Sequence, residues 1–493
     1  MAISLSISCI RIDFVKLDDD LFDSKIFPAV KGMKHFARSS VGLFLIFVSA
    51  VLVLLLVAQN SSGGERQLPN ISRTFSETPT APLYLINRGR PALRIFSPRL
   101  EWPKRPDTGL HLQSLSAVTE DSPQNGSTYE YKVRGIEPLA GYERSKIFGI
   151  NNSGMVVGRF YNYNAETEKE ENRQAFIWSK SEEARVLPAL NGESGAWGIN
   201  DAGLVSGYSY NQEENERAVR WDSKSLTVVD LGTLTNGTTG ASGDSSTAYD
   251  INQNGDVVGN ADIPNDAGSF MPFHAFLYRD VSGIQDLGTF TTAYPQWQNG
   301  YSIAYDINIH GQVVGIAHDS SWAFLPFIYD ETKGMQELTR DSNYLTGEWY
   351  AVAINDSGQI GGHVIAATNQ SLPFYWQNSS AEPIQVTMPS GFPYGEIYGV
   401  NESGQMVGLM WDSEGEEAVE HAFIFDTEKG IRDLNNLLDP QTGWTLTFAR
   451  YINNSGQIVG YGEVNGERRG FILTPIPPSR QAMPWIQLLL LED

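Results

Sequence analysis

Short apolar segments alternate with polar turns along residues 131–475, and one phrase recurs seven times among them. The phrase is Ile/Val-Asn-x-x-Gly-x-Ile/Val-x-Gly. Its first apolar residue stands at positions 150, 199, 251, 307, 354, 400 and 452, so successive copies are 49, 52, 56, 47, 46 and 52 residues apart. Repeats of this length are typical of propeller blades and of solenoid arrays.

Four strands, called A to D, are predicted in each repeat. Strands A and B flank the Asn-x-x-Gly turn, where Gly supports a positive φ and Asn satisfies the turn backbone. Strand C is a short apolar segment such as 175–178, and strand D follows a tight turn, as at 284–287. Such repeats predict an all-β, seven-bladed β-propeller of four-stranded blades, in which Trp178, Trp221 and Trp376 of strand C lie between blades.

The number of strands also predicts how the ring closes. There are seven A–B units and seven C strands, but only six D strands follow a C strand. Segment 135–139, ahead of the first A–B unit, is similar to strand D. We therefore predict that this N-terminal strand completes the last blade, which leaves no exposed sheet edge. Another blade number and an open array are the alternatives.

Residues 41–58 form an apolar stretch of 18 residues without a charge. As a helix it would be about 27 Å long, close to the thickness of the bilayer core. Lys31, Lys34 and Arg38 precede it, so its N-terminal side is expected to stay in the cytoplasm and the repeats to lie outside. The stretch is either an uncleaved transmembrane signal anchor or a signal peptide cleaved near Ala58.

These segments give a predicted domain organisation. Residues 1–40 form a cytoplasmic N-terminal segment, within which Met33 is an alternative start of the protein. A spacer over residues 59–130 precedes the propeller at 131–475, and residues 476–493 form a C-terminal tail.

The charge balance excludes some partners. The chain has 35 basic and 58 acidic residues, for a net charge of −23, which argues against binding nucleic acid or anionic lipid. The single cysteine, Cys9, precedes the repeats. No disulfide can therefore form within the propeller, which must be held together by its packing.

Several motifs in strands C and D resemble one family. They are His274-Ala275-Phe276, His421-Ala422-Phe423 and the Asp-Leu-Gly-Thr stretches that begin at Asp230 and Asp286. The repeats resemble the HAF-repeat family, a group of bacterial extracellular repeat proteins. The resemblance covers about residues 131–475 and implies a secreted or surface-attached protein. It implies no activity, and residues 474–493 lack the Pro-Glu-Pro sorting tail of many members.

Candidate ligand-binding residues lie in the longer loops. Loops B–C and D–A share the face opposite the tight turns, and loops carry function more often than scaffold strands do. The B–C loops are acidic, whereas the D–A loops supply the candidates Trp197, Trp297, Trp349, Trp444, Tyr294 and Tyr394. Aromatic platforms beside carboxylates suit carbohydrate. Alternatively, these rings pack against neighbouring loops and the acids are merely solvated.

No catalytic residues, cofactor or metal are predicted. His274 and His421 occupy equivalent positions in separate repeats, which indicates a structural role, and the sequence has no motif of a hydrolase or a phosphate-binding loop. The repeated Asn residues are expected to be turn formers. Carboxylates near these turns, such as Asp250, Asp306 and Asp356, raise the question of Ca²⁺, but the compact spacing of a calcium loop is absent.

Three functional hypotheses follow. The first is a non-catalytic extracellular or cell-surface propeller that binds carbohydrate or a surface protein through its loop-rich face. The second is a carbohydrate-active hydrolase or lyase with carboxylates at the propeller centre, although the sequence favours a protein that is not an enzyme. The third is a structural component of a surface layer or matrix.

Overall fold

The structure is a computed structural model that describes residues 129–234, 244–263, 273–290, 300–318, 323–413 and 418–477. Within these ranges there is no α-helix, and the regular structure consists of strands with three 3₁₀ turns at Ser342–Tyr344, Leu434–Leu437 and Pro440–Thr442. No helix in this part of the chain is long and apolar enough to cross a membrane. The predicted segments 1–40 and 41–58, nearly all of the spacer and residues 478–493 lie outside the described residues.

The strands form seven antiparallel sheets of four strands each, which confirms the predicted seven-bladed propeller. Strand β1 is Tyr131–Ile136. Blade 1 contains β2 (Arg144–Ile150), β3 (Val156–Asn164), β4 (Lys169–Ser179) and β5 (Glu182–Val186). Blade 2 contains β6 (Ser194–Ile199), β7 (Leu204–Tyr210), β8 (Glu216–Asp222) and β9 (Thr227–Asp230). Blade 3 contains β10 (Ser246–Ile251), β11 (Val257–Asp262), β12 (Phe273–Arg279) and β13 (Gly283–Asp286).

The remaining blades follow the same order. Blade 4 contains β14 (Ser302–Ile307), β15 (Val313–His318), β16 (Phe324–Asp330) and β17 (Gly334–Glu337). Blade 5 contains β18 (Glu348–Ile354), β19 (Ile360–Ile365), β20 (Ser371–Trp376) and β21 (Ile384–Gln385). Blade 6 contains β22 (Tyr394–Val400), β23 (Met406–Trp411), β24 (Glu420–Asp426) and β25 (Gly430–Asp433). Blade 7 contains β26 (Trp444–Ile452), β27 (Ile458–Val464) and β28 (Glu467–Pro475), with β1 paired along β28.

The first strand of every blade carries a β-bulge two residues before the Ile or Val of the repeat. The bulged residues are Phe148, Trp197, Tyr249, Tyr305, Val352, Tyr398 and Arg450. A bulge bends its strand and redirects a side chain. These seven residues, here called the axial ring, all line one pocket, so the bulge turns one side chain per blade toward the propeller axis.

The bulge also explains the last glycine of the repeated phrase. A Cβ atom on Gly158 would stand 1.9 Å from the carbonyl oxygen of Lys146, and one on Gly315 would stand 1.9 Å from that of Ile303. Backbone oxygens cannot move away cheaply inside a sheet. The second strand of the blade therefore needs a residue without a side chain where it meets the bulged strand.

The asparagine of each Asn-x-x-Gly turn forms a hydrogen bond to the next blade. Asn355 Oδ1 accepts the backbone N–H of Gln359 within its own turn (2.8 Å), while Nδ2 donates to the carbonyl of Asn401 in blade 6 (2.9 Å). The same inter-blade bond recurs at all seven turns, from Asn151, Asn200, Asn252, Asn308, Asn355, Asn401 and Asn453, at 2.9–3.2 Å. The last one returns to the carbonyl of Asn151, so the seven bonds form a closed asparagine belt.

The residue after each asparagine adds a second set of inter-blade bonds. The backbone N–H of Asn152 donates to Asp201 Oδ1 (2.8 Å), and that of Asp356 donates to Glu402 Oε1 (2.7 Å). Ile309 occupies the equivalent position in blade 4 and has no side-chain acceptor to offer blade 3. There, Asn254 Nδ2 donates to the carbonyl of Ile309 instead (2.9 Å).

Apolar clusters fill the spaces between neighbouring blades. Trp221 and Trp376 are completely buried, and each indole N–H donates to a carbonyl of the preceding blade's final segment, at Pro188 (2.6 Å) and Thr339 (2.9 Å). Trp178 packs with Ile136 and Ile472 from the seventh sheet. The predicted position of these three tryptophans between blades is confirmed.

The histidines of the strand C motif stabilise the turn that follows strand D. His274 Nδ1 lies 2.9 Å from the carboxylate of Asp286, whose Oδ1 accepts the backbone N–H of Gly288 (2.7 Å). His421 makes the same pair with Asp433 at 2.6 Å. These pairs belong to the scaffold of blades 3 and 6, as their periodic spacing predicts.

We predict that Asn355→Asp destabilises the fold by about 1–3 kcal/mol. The substitution keeps the Oδ1 acceptor of the turn but replaces the inter-blade donor with a carboxylate oxygen that faces the Asn401 carbonyl. The free energy of unfolding in urea measures the effect. Asn378→Asp is the matched control, because Asn378 is exposed and its Oδ1 accepts the N–H of Ser380 (3.0 Å). Equal stability of the two variants would contradict a role for the belt.

Candidate functional site

The two faces of the propeller differ in how strongly their residues repeat. The turn face carries the Asn-x-x-Gly turns, which have the same backbone bonds in every blade. The loop face carries the ends of strands B and D and the starts of strands C and A, where charged and aromatic side chains differ from blade to blade. The loop face therefore offers a ligand side chains that are not repeated in every blade, as selective binding requires.

The axial ring surrounds a small central pocket with a cavity volume of about 10 Å³, also lined by Asp250, Asp306 and Tyr451. Most of this space is too narrow for more than water-sized molecules. Rings pack around its wall, with Phe148 and Trp197 centroids 4.2 Å apart and Tyr249 and Tyr305 centroids 6.1 Å apart. Side chains therefore fill most of the centre of the propeller, and a ligand larger than water would have to bind at the mouth of the pocket.

Asp250 and Asp306 are buried side by side at the axis. Asp306 accepts two backbone hydrogen bonds, from Ile307 and from Ile354 of the next blade, both at 2.7 Å. Burial, together with the neighbouring carboxylate of Asp306, raises the pKa of Asp250 well above its usual range. Arg450 lies in the same pocket and donates to the carbonyl of Tyr398 (2.8 Å), and its own burial lowers its pKa. The folded state therefore favours the protonated form of Asp250 more than the unfolded chain does.

An unbroken series of aromatic and imidazole rings in contact, here called the aromatic arc, crosses the loop-face half of blades 3 to 7. Neighbouring ring centroids lie 4.0–6.2 Å apart. In order of contact the arc consists of Phe273, Tyr301, His318, Phe324, Tyr350, His363, Tyr398, Phe448 and Tyr461. Phe273, Tyr301, Phe324 and Tyr461 are partly exposed, whereas the other members are buried. The arc thus presents ring surface at the mouth and is supported from below by further rings.

Carboxylates accompany the arc. Glu348 accepts a hydrogen bond from the Tyr350 hydroxyl (3.1 Å), and burial raises the pKa of Glu348. Glu396 accepts from Ser371 (2.9 Å) and from the Tyr398 hydroxyl. His363 is fully buried between these groups, and burial lowers its pKa, so the ring is neutral. The arc side of the mouth therefore combines aromatic surface with hydrogen-bond acceptors.

The opposite side of the mouth, on blades 1 and 7, carries a group of cations. This cation cluster consists of Lys146, Arg159, Arg173 and Arg468. Lys146 Nζ and Arg159 Nη2 each lie 2.5 Å from the carboxylate of Glu170, and Arg173 pairs with Glu193 at 2.6 Å. Lys146 and Arg468 both approach the ring of Tyr461, at 5.2 and 5.5 Å. The last ring of the arc therefore adjoins the cation cluster.

The candidate aromatic residues from the sequence lie in different environments. Trp349 is completely buried, packs at a tilt against Trp376 (5.9 Å between ring centroids) and donates its N–H to the Tyr344 carbonyl (3.0 Å), so it belongs to the core between blades 4 and 5. Trp197 is part of the axial ring and is 8% exposed. The partly exposed Tyr394 and Trp444 pack near Trp411 (5.9 Å) and Phe471 (6.2 Å). Tyr294 and Trp297 lie outside the described residues.

The acidic B–C loops also divide into two groups. Glu166, Glu168, Glu171, Glu213 and Glu214 are exposed, whereas Glu170 and Glu216 turn inward, Glu216 toward the Thr247 hydroxyl. Nothing in sequence spacing separates Glu170 from its exposed neighbours. The part of the chain that the structure describes brings no three His, Cys, Asp or Glu side chains together as a set of metal ligands.

One family model matches part of the chain. The model described as "Protein of unknown function (DUF3466)" matches residues 140–299, which contain blades 1 to 3. No curated protein matches the chain.

Several solved structures are similar to the chain at low identity. A puromycin-hydrolyzing peptidase from Mycobacterium tuberculosis is 12% identical, with 67% of this chain and 53% of the other covered and a TM-score of 0.41. An oligogalacturonate lyase in complex with manganese is 13% identical (71% and 95% covered, TM-score 0.44). The Aleuria aurantia lectin is 11% identical (59% and 94% covered, TM-score 0.36). The chain spans about half the length of the first two peptidases that it matches, and similarities this low say nothing about ligand or activity.

The axial acid pair generates a pH-dependent prediction. Because the pKa of Asp250 is raised in the folded state, its carboxyl group favours unfolding as the pH rises above about 4, where the unfolded chain loses this proton. Asp250→Asn mimics the protonated acid, so we expect it to be neutral or stabilising at pH 7. The difference from the wild type should vanish near pH 3.

The control for this prediction is Asp306→Asn, in the equivalent position of the next blade. An amide offers a single oxygen to the two backbone donors of Ile307 and Ile354, so this variant should be destabilised at pH 7 by about 1–3 kcal/mol. Urea unfolding at a series of pH values measures the free energy of unfolding of both variants. Loss of stability in both variants to the same extent would show that Asp250 is ionised in the folded protein.

Proposed function

We propose that this protein is a non-catalytic binding propeller that takes a carbohydrate at the mouth of the axis on its loop face. The observation that carries the proposal is the aromatic arc, which has four partly exposed rings and in which the Tyr350 hydroxyl donates to the partly exposed Glu348. Sugar rings have apolar C–H faces that pack on aromatic rings and hydroxyl groups that hydrogen bond to carboxylates. The narrow axial pocket supports binding across the mouth, with the ligand lying on the arc.

The proposal predicts that the exposed rings of the arc govern affinity. Phe273→Ala and Phe324→Ala should each weaken binding of an oligosaccharide by about tenfold, as expected for the loss of one stacked ring. Isothermal titration of the full chain with a panel of bacterial surface oligosaccharides measures the affinity. Tyr278→Ala is the matched control, because Tyr278 is partly exposed at the opposite, turn-face end of strand β12. Equal losses in all three variants, or oligosaccharide binding that no arc variant weakens, would argue against this site.

An enzymatic alternative has one specific observation in its favour. Glu348 is a carboxylate with a raised pKa beside the arc, which is the state that a general acid requires. The same oligosaccharides should therefore be tested for new reducing ends or unsaturated products. Product that disappears in Glu348→Gln would replace the binding proposal with a hydrolase or lyase.

We further propose that the propeller lies on the extracellular side, anchored through residues 41–58 or released by cleavage. The resemblance of the strand C and D motifs to HAF repeats supports this location, as does the positive flank of the apolar stretch. Protease added to intact cells should digest the propeller if it lies outside, and its survival until the cells are lysed would contradict this location.

We also propose that β1 is the strand that closes the ring. It pairs with β28 over six residues, from Tyr131 opposite Pro475 to Ile136 opposite Gly470, and Arg134 lies 4.8 Å from the Trp178 ring of blade 1. Deleting residues 129–137 should expose an edge of β28 and promote association between chains. A matched deletion of residues 110–118 should leave the protein unchanged. Sedimentation velocity compares the two, and a monomeric, equally stable β1 deletion would contradict closure by this strand.

A further inference from the structure

Glu170 occupies an unusual position in the mouth. Its carboxylate receives Lys146 and Arg159 on its two oxygens at 2.5 Å each, and the three side chains are only 10–15% exposed. Lys146 projects from β2 and Arg159 from β3, so the cations belong to the sheet framework. Glu170, in contrast, comes from the B–C hairpin of blade 1, between exposed Lys169 and Glu171.

The hairpin reaches this position with strained backbone. Glu168 and Asn172, two residues before and after Glu170, both have positive φ, at 63° and 56°. A non-glycine residue in this region is uncommon and is tolerated only when the surroundings fix it. The pairing of β3 with β4 also shifts register between Phe160 and Asn162. The ion pairs of Glu170 with Lys146 and Arg159 therefore help to hold the B–C hairpin of blade 1 with Glu170 turned inward.

The cations are not fully satisfied by Glu170. Within the described structure, the Nε of Arg159 is buried without a hydrogen-bond partner, and so is the hydroxyl of Tyr208 on the neighbouring blade. Both residues are more than nine-tenths buried. Buried polar atoms are almost always paired, so unpaired donors beside a charged cluster indicate a missing acceptor. A ligand with a carboxylate and neighbouring hydroxyl groups would supply several hydrogen-bond acceptors.

The electrostatic environment favours an anion at this position. Burial opposes ionisation of Glu170, but the charges of Arg159 and Lys146 outweigh it and lower the pKa of Glu170 to about 2. Burial lowers the pKa of Lys146 to about 8, although the charge of Glu170 opposes this shift. Glu170 is therefore ionised, and its charge opposes the effect of burial on Lys146. Leaving two buried cations without an anion is strongly unfavourable.

We propose that Lys146 and Arg159 form a carboxylate-binding site for an acidic saccharide of the uronic acid class, and that Glu170 occupies this site in the unliganded protein. The saccharide part of this inference rests on the proposed function. The ligand's carboxylate replaces that of Glu170, its hydroxyl groups reach Arg159 Nε and Tyr208, and its ring lies toward Tyr461 at the end of the aromatic arc. The released hairpin then relaxes into solvent.

The test uses the full chain with Glu170→Gln, which removes the internal anion. This variant should melt at a lower temperature than the wild type, because two cations lose their partner. D-glucuronate should raise the melting temperature of the variant by several degrees and that of the wild type by much less, since the wild-type site is filled. Acetate tests whether a carboxylate alone suffices, and D-glucose is the uncharged comparison. Glu193→Gln is the control, because the Glu193 side chain pairs with Arg173, and with no other cation of the described residues, at the same mouth.

A second variant keeps the test decisive if Glu170→Gln does not fold. Tyr208→Phe removes a hydroxyl that has no partner, so it should fold with unchanged or higher stability. It should nevertheless weaken binding of glucuronate oligomers by about tenfold, the loss expected for one hydrogen bond to a charged ligand. Unchanged affinity in Tyr208→Phe, or equal effects of glucuronate and glucose on Glu170→Gln, would overturn the inference.

The outcomes separate the two proposals. Neutral oligosaccharides that bind through Phe273 and Phe324, together with no rescue by glucuronate, would retain the carbohydrate site and overturn the carboxylate site. Rescue by acetate and glucuronate alike, with no oligosaccharide that depends on the arc, would retain a carboxylate site and overturn the carbohydrate function.

Discussion

The asparagine belt is the interaction on which the rest of this structure depends. A blade of about fifty residues cannot bury both faces of its sheet alone, and this propeller contains no disulfide to join one blade to the next. Seven Asn side chains bind their own turn through Oδ1 and the next blade through Nδ2, so one residue type fixes both the turn and its neighbour. The indoles of Trp221 and Trp376 add similar inter-blade bonds farther out.

Because the belt joins the blades at the turn face, residues on the loop face can differ from blade to blade without loss of the fold. Each bulge sends one residue of the innermost strand to the axis, and the identity of that residue, from Val352 to Arg450, does not alter the sheet. Above the axis, blades 3 to 7 supply a series of rings in contact, four of them partly exposed, and blades 1 and 7 supply cations, within a chain of net charge −23. A regular scaffold thereby supports an irregular, chemically divided mouth, which is the arrangement a selective binding surface requires.

Periodicity made much of the fold predictable, because spacing alone gives the strands, the turns and the place of Trp178, Trp221 and Trp376. The second role of the asparagines was missed, since a turn former and an inter-blade donor look identical in one repeat. The bulge was missed for a similar reason. The alternation of apolar and polar residues gives no sign that the side chain of Phe148 or Tyr249 turns toward the axis. The site was less predictable still. Trp349 is buried by its tertiary packing, and Glu170 turns inward, unlike Glu171, only because Lys146 and Arg159 come close in three dimensions.

The central claim is that the mouth of the axis on the loop face is the functional surface of this propeller. Amide hydrogen exchange of the full chain, with and without a saturating acidic oligosaccharide, tests it most directly. We expect slower exchange at the loop-face ends of strands in blades 1, 3, 4 and 7, which carry Lys146, Phe273, Phe324 and Tyr461, and faster exchange in the released 163–172 hairpin. Exchange on the turn face should not change, because the belt already protects it. Protection confined to the turn face or to the outer strands would contradict the account.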